Sequence, residues 1–254
     1  MLPGPGTLRN RLFGGLGQRM ARWLHARQPG YRPHGHIAFA RLCAVLQPGD
    51  VLLVEGNERI SSAIKYLTQS TWSHAALYVG DALPVPTGGG ERPRLIEVNM
   101  HEGCTATPLA SYEGYNLRIC RARLTPAERT AVIAFMVGRL GVQYDLRNIF
   151  DLARYFLPLP VPARFRRRAM ALGSGDPTRA ICSSLIAQAF QSIGYPILPE
   201  VSDSGPQGAA AAREILHIRH HSLYAPRDFD LSPYFQVVKP ALQGGFDFHA
   251  LEWD

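Results

Sequence analysis

The feature that most constrains this chain is a cysteine opening an apolar helical run, Thr178 to Tyr195 (TRAICSSLIAQAFQSIGY). Leu185, Ile186, Ala189, Phe190 and Ile193 recur at i, i+3, i+4 spacing, which predicts an amphipathic helix, and Gly194 with Pro196 predicts its stop. Cys182 then sits at the helix N-terminus, where unpaired backbone N–H groups and the positive end of the dipole favour a thiolate over a thiol. Cysteine is also among the most buried residue types, so a packing role satisfies the same pattern. A nucleophile needs a base, an orienting group and an oxyanion donor from elsewhere in the chain.

Composition sets the outer limits. An apolar fraction of 46% over 254 residues supports a core for one domain and leaves length for an appendage. The net charge of +7 is carried by arginine, with Lys65 and Lys239 the only lysines, and no motif or aromatic platform accompanies it; nucleic acid is not an expected partner. Cys43, Cys104, Cys120 and Cys182 form no CxxC pair, which fits a reducing compartment, and the first three are expected in or beside apolar strands and loops, where burial hides them or favours the neutral thiol. The best apolar run, Ile37 to Leu46, is too short to cross a membrane and contains Arg41. No standard secretory signal is evident, and the expected location is the cytoplasm, with peripheral membrane contact as a variant.

Residues 1–40 hold Arg9, Arg11, Arg19, Arg22, Arg27 and Arg32 and no acid, while Leu8, Leu12, Leu16, Met20 and Leu24 recur every four residues. This basic amphipathic segment has two readings, a helix packed on the domain or one lying on an anionic membrane surface. The folded part is expected to begin near QPGDVLLV, with Val51 to Val54 a buried strand and Ile60 to Leu67 a helix. Thr71 to Gly80, RLIEVNM (Arg94 to Met100) and Leu117 to Ala122 read as further strands. Thr125 and Pro126 open a helix to about Leu140, with Glu128 in its first turn. Asp145 to Gly175 reads as partly helical and carries the basic cluster Arg164, Arg166, Arg167 and Arg168; Ala209 to Ala212 opens a helix expected to reach Leu216.

Alternation in TWSHAALYVG puts His74, Ala76 and Tyr78 on one face and Ala75, Leu77 and Val79 on the other, which has the look of core. In RLIEVNM, Ile96, Val98 and Met100 share the apolar face, leaving Glu97 and Asn99 opposite. If the two strands are antiparallel neighbours, Glu97 lies beside His74 and can fix its tautomer and stabilise its imidazolium. Asn99 shares that face and is the alternative orienter. His74 by itself reads first as a satisfied structural histidine, and the carboxylate on the facing strand weakens that reading.

The order strand-His, strand-Glu, helix-Cys resembles the circularly permuted branch of the NlpC-type papain-like cysteine peptidases, the YaeF/YiiX-like proteins, with lecithin:retinol acyltransferase a more distant relative. The residues that carry the resemblance are PGDVLL (Pro48–Leu53), STWSHAALYVG (Ser70–Gly80), LIEV (Leu95–Val98), GVQYDL (Gly141–Leu146), ICSSLIAQAF (Ile181–Phe190) and APRDFDLSPYFQVV (Ala225–Val238). It implies an α+β fold, an antiparallel sheet packed against helices with the nucleophile at a helix N-terminus. It also implies Cys182 as nucleophile, His74 as base and Glu97 as orienter, with Tyr144 as a substrate or oxyanion contact or else a core aromatic. Ser184 stands where the family pattern leads one to expect an acid.

The implied activity is a cysteine hydrolase, an amidase or peptidase cleaving an amide of a small peptide, cell-wall fragment or acyl-amino compound through a thioester. The alternatives are a lipid-directed acyl hydrolase or acyltransferase at a membrane surface, and a non-catalytic membrane-associated module. No metal or cofactor is called for. The expected organisation is a basic extension over residues 1–44, a catalytic domain over 45–240 and a tail over 241–254. Residues 1–30 and Arg164–Arg168 are the expected contacts to an anionic membrane surface.

Overall fold

The computed structural model describes residues 26, 38–99, 102–143, 181–203, 214–217, 220–221, 224–243 and 249. In chain order its elements are α1 (Phe39–Val45), β1 (Val51–Glu55), α2 (Arg59–Thr68), β2 (His74–Tyr78), β3 (Pro93–Asn99), β4 (Gly103–Pro108), a 3₁₀ turn (Leu109–Tyr112), β5 (Asn116–Ala122) and α3 (Pro126–Val137). These are followed by α4 (Ile181–Gln191), β6 (Glu200–Asp203), β7 (Glu214–His217), α5 (Pro226–Leu231), β8 (Phe235–Val238) and α6 (Pro240–Gln243). The fold is α+β, as the family resemblance implied.

Six strands form one antiparallel sheet in the order β4-β3-β2-β1-β5-β8. β1 lies at its centre and is covered on both faces, which is why VLLV reads as an unbroken apolar run rather than an alternating one. On one face Val51, Leu53, Ala75, Leu77, Ile96 and Val98 meet α3 and α4 through Val132, Met136, Leu185, Ile186 and Phe190. On the other, Leu52, Val54, Ala76, Tyr78 and Ile119 pack beneath Leu42 of α1 and Leu109 of the 3₁₀ turn. The face that carries His74 is therefore core as well, and His74 stands at its rim.

Local chemistry fixes the element ends. α3 begins with a capping box: Thr125 Oγ1 accepts the Glu128 N–H at 3.3 Å while Glu128 Oε2 accepts the Thr125 N–H at 2.8 Å. The helix ends at Val137, short of Leu140, where Gly138 takes the cap and the chain turns. That turn lays Val142 against β4, its carbonyl accepting the Cys104 N–H at 2.9 Å. Gly103, at φ +73°, permits the approach, because a Cβ there would stand 2.3 Å from the Val142 carbonyl oxygen.

Three expectations are revised. Glu214–His217, the end of the expected helix from Ala209, is a strand paired with β6, Val201 opposite Leu216 and Ser202 opposite Ile215. Pairing with a neighbour overrides helix propensity in so short a stretch. The sequence reading passed over β4 and β8 as strands. Cys43, expected in or beside apolar strands and loops, lies exposed on α1. Asp145–Gly175, Ala209–Ala212 and, apart from Ala26, the segment before residue 38 lie outside the described residues.

Candidate active site

Register brings the strand residues together. Ala76 pairs with Glu97, so His74, two positions earlier on the same face of β2, lies diagonal to that carboxylate. His74 Nε2 and Glu97 Oε2 are 2.9 Å apart. The other ring nitrogen, Nδ1, is left for Cys182, with which the imidazole shares a hydrogen bond. Cys182 is the second residue of α4 and is buried, and the Ala75 and Ser183 backbone N–H groups both point to its sulfur.

Electrostatics follow from this stacking of groups. Burial by itself would lower the His74 pKa, but the Cys182 sulfur and the Glu97 carboxylate raise it well above the ordinary histidine value. Burial would raise the Cys182 thiol, and the His74 charge, its hydrogen bond and the two backbone N–H groups bring it below the ordinary cysteine value instead. Glu97, only 6% exposed, is also held below its usual range: burial is outweighed by His74, Tyr112 and Thr107. An imidazolium–thiolate pair is the charge state these neighbours favour.

Two partners of Glu97 escaped sequence reasoning. Thr107 Oγ1 donates to Glu97 Oε1 at 2.8 Å, and the Tyr112 hydroxyl donates to Oε2, the oxygen that also bonds His74. Tyr112 stacks near the imidazole, ring centroids 6.1 Å apart at 29°. Burial and the Glu97 charge push the Tyr112 pKa well up, so it stays a donor. The available signal was the alternation of Thr105 and Thr107 with Cys104 and Ala106, which marks β4. Nothing in the LASY sequence itself announced Tyr112.

Asn99 is placed differently from Glu97. It closes the β3–β4 turn, accepting the Glu102 N–H at 2.7 Å and donating to Glu102 Oε2 at 3.2 Å. Behind the site, the loop after β1 is pinned to residue 73: Ser73 Oγ accepts the Gly56 N–H at 2.9 Å, and a Cβ on Gly56 would lie 2.8 Å from that oxygen. Ser184 is buried in the first turn of α4. Tyr144 and Arg164–Arg168 lie outside the described residues. Among the described residues, no group of three or more His, Cys, Asp or Glu side chains is placed to hold a metal ion, and no helix is long and apolar enough to cross a membrane.

These features define an α+β protein whose antiparallel sheet is packed between helices. Residues 45–156 match the family model described as permuted papain-like amidase enzyme, YaeF/YiiX, C92 family, and the family resemblance read from the sequence motifs holds. The chain is 24% identical over 213 residues to the probable lipoprotein peptidase YaeF of Escherichia coli strain K12, covering 78% of this chain and 72% of the relative. The crystal structure of metalloprotein yiiX from Escherichia coli O157:H7 is similar with a TM-score of 0.44 and 16% identity, covering 76% of this chain and 96% of that one. At the coarse level the matched family is one of papain-like amidases, and the similar Escherichia coli protein is named a peptidase.

Proposed function

We propose that the chain is a cysteine-nucleophile amidase or peptidase whose triad is Cys182, His74 and Glu97, housed in a catalytic domain over residues 45–240. The observation that carries this reading is His74 bonded on one nitrogen to Glu97 and sharing a hydrogen bond with Cys182. A structural histidine needs neither a buried carboxylate nor a thiol of lowered pKa as its two neighbours. A binding module would have no need of all three.

In the first half-reaction the Cys182 thiolate attacks the amide carbonyl carbon, and the pair of electrons moves to the carbonyl oxygen. Backbone N–H groups at the start of α4 are the oxyanion donors, with Tyr144 as a second contact. The C–N bond then breaks, the leaving nitrogen takes the His74 proton, and a thioester remains on Cys182. In the second half, neutral His74 takes a proton from water, the hydroxide attacks the thioester, and the acid and thiolate are released. Glu97 holds the ring and its positive charge throughout, without itself taking a proton.

The basic N-terminal extension, residues 1–44, supports a second element, peripheral attachment to an anionic membrane surface through residues 1–30 and Arg164–Arg168. The relative named as a probable lipoprotein peptidase is in keeping with work at a membrane. A lipid-directed acyl hydrolase or acyltransferase is the corresponding alternative in substrate.

The test is intact-mass measurement of purified protein exposed to a panel of acyl amides, short peptides and acyl lipids. An acyl adduct confined to Cys182, absent in Cys182→Ala, supports the mechanism and identifies the substrate class. Full hydrolysis by Cys182→Ala would sink it.

A further inference from the structure

A cavity of about 250 Å³ opens beside α5, lined by Gln69, Ser70, Trp72, Arg118, Arg227 and Asp230, among others. Asp230 organises it: its carboxylate accepts Trp72 Nε1 at 2.9 Å and Arg118 Nη1 at 2.6 and 2.7 Å. The Arg118 guanidinium lies 4.9 Å from the Trp72 ring centroid, so cation, indole and carboxylate form one locked unit. Arg227 bonds the Thr68 carbonyl. Two guanidiniums thus share the lining with one carboxylate, which leaves the cavity with a net positive charge.

The cavity belongs to the same side of the sheet as Cys182. Trp72 and Cys182 lie in one apolar cluster, and Trp72 precedes His74 by two residues. Leu53 pairs with Ala75 on one side and Arg118 on the other, so Arg118 is two strands from the residue whose N–H points to the Cys182 sulfur. Two strand spacings are about 10 Å, the length of about three extended residues. Ser183 Oγ donates to the Tyr224 carbonyl at 2.6 Å, tying the start of α4 to the segment that leads into α5, which carries Arg227 and Asp230.

We infer that this cavity is a recognition subsite for a free carboxylate, the C-terminal end of a short peptide or acyl-peptide whose reacting carbonyl sits at Cys182. The assignment rests on the cysteine-hydrolase reading and gives it a substrate class. Arg227 supplies the charge-assisted hydrogen bonds, and Ser70 and Gln69 share the lining with it. Its volume lies just below the range of ordinary small-molecule sites, a size for one end group rather than a whole substrate.

The test measures binding without turnover, by titrating full-length Cys182→Ala protein calorimetrically with N-acetyl-Ala-Ala-Ala and with its C-terminal amide. The acid should bind at least about tenfold more tightly, as loss of a charge-assisted bond implies. Arg227→Gln should erase that preference and Arg227→Lys should retain most of it. Equal binding of acid and amide overturns the proposal, and that comparison needs no cavity variant, so a folding failure of Arg227→Gln does not protect it. Tighter binding of inorganic phosphate than of the peptide acid overturns the choice of carboxylate. Iodoacetamide inactivation of turnover on the unmutated protein reports separately on the cysteine mechanism. Acid preference with turnover that survives loss of Cys182 would remove the mechanism and keep the subsite.

Discussion

His74 Nε2 lies 2.9 Å from Glu97 Oε2, and that buried carboxylate also accepts hydrogen bonds from Thr107 and Tyr112. An ionised carboxylate is costly to bury alone; here a histidine and two hydroxyls make it affordable and fix its direction. The histidine ring is held from the side away from Cys182, which leaves Nδ1 to serve the sulfur.

Glu97→Gln should cut turnover by on order of a hundredfold or more, since an amide cannot stabilise the imidazolium as a carboxylate does. Asn99→Ala should stay within about a few-fold of wild type, because Asn99 bonds Glu102 in the turn rather than His74. Steady-state kinetics of the two variants decides it. The reverse ranking would transfer the orienting role to Asn99.

Tyr112→Phe tests the shared oxygen. The Tyr112 hydroxyl draws charge from Oε2, the atom that faces His74. Removing it leaves more negative charge on Oε2 facing His74, which favours the imidazolium and raises the His74 pKa further. The alkaline limb of the kcat/KM profile, where the imidazolium loses its proton, should move to higher pH. A limb that moves down, or not at all, removes Tyr112 from the charge relationship.

The core makes a separate prediction. Phe190 is fully buried against Tyr195, Phe229 and Phe235, joining α4 to α5 and β8. Phe190→Ala should cost about 3–5 kcal/mol in urea unfolding, the usual range for an aromatic deleted from a packed core. A loss under about 1 kcal/mol would mean that α4 is held by other contacts.

What the sequence revealed depended on how local the determinants were. The α3 start was legible because Thr125, Pro126 and Glu128 act within one turn. The faces of β2 and β3 were legible because alternation is intrinsic to a strand, and Ile96 and Glu97 fall on opposite sides as read. The bonds from Thr107 and Tyr112 to Glu97 were not, since each joins residues 10 or more apart through a strand that went unrecognised. β7 shows the same limit: Glu214–His217 takes its form from β6, not from its own sequence.

Among the described residues, the Ala26 carbonyl accepts the Arg59 N–H at 3.3 Å. If residues 1–30 also bind membrane, deleting them should abolish sedimentation with anionic vesicles while hydrolysis of a soluble substrate persists. Added salt should weaken binding of the full chain, because charge attraction is screened over about 10 Å at 0.1 M. Undiminished vesicle binding by the deleted protein rules the role out. Unfolding on deletion would assign the segment to packing instead.

Cys182 and Cys43 set accessibility against chemistry. Cys43 is exposed and its pKa is raised, partial desolvation of the thiol outweighing the pull of Arg94; Cys182 is buried and its pKa is lowered. At pH 6 a thiol of ordinary pKa is only about 0.3% thiolate, so charge state outweighs exposure for a small reagent. Cys104, pushed up to about 11 by burial, and Cys120, pushed higher still, should remain silent. Brief limiting iodoacetamide at pH 6 should therefore label Cys182 first, with Cys43 gaining as the pH rises toward 9. In His74→Ala the Cys182 rate at pH 6 should fall and recover only in alkali, because the imidazolium that lowers its pKa is gone. Peptide mapping by mass spectrometry reads each site, and Cys43 reacting first at pH 6 while Cys182 stays inert would contradict the ion pair.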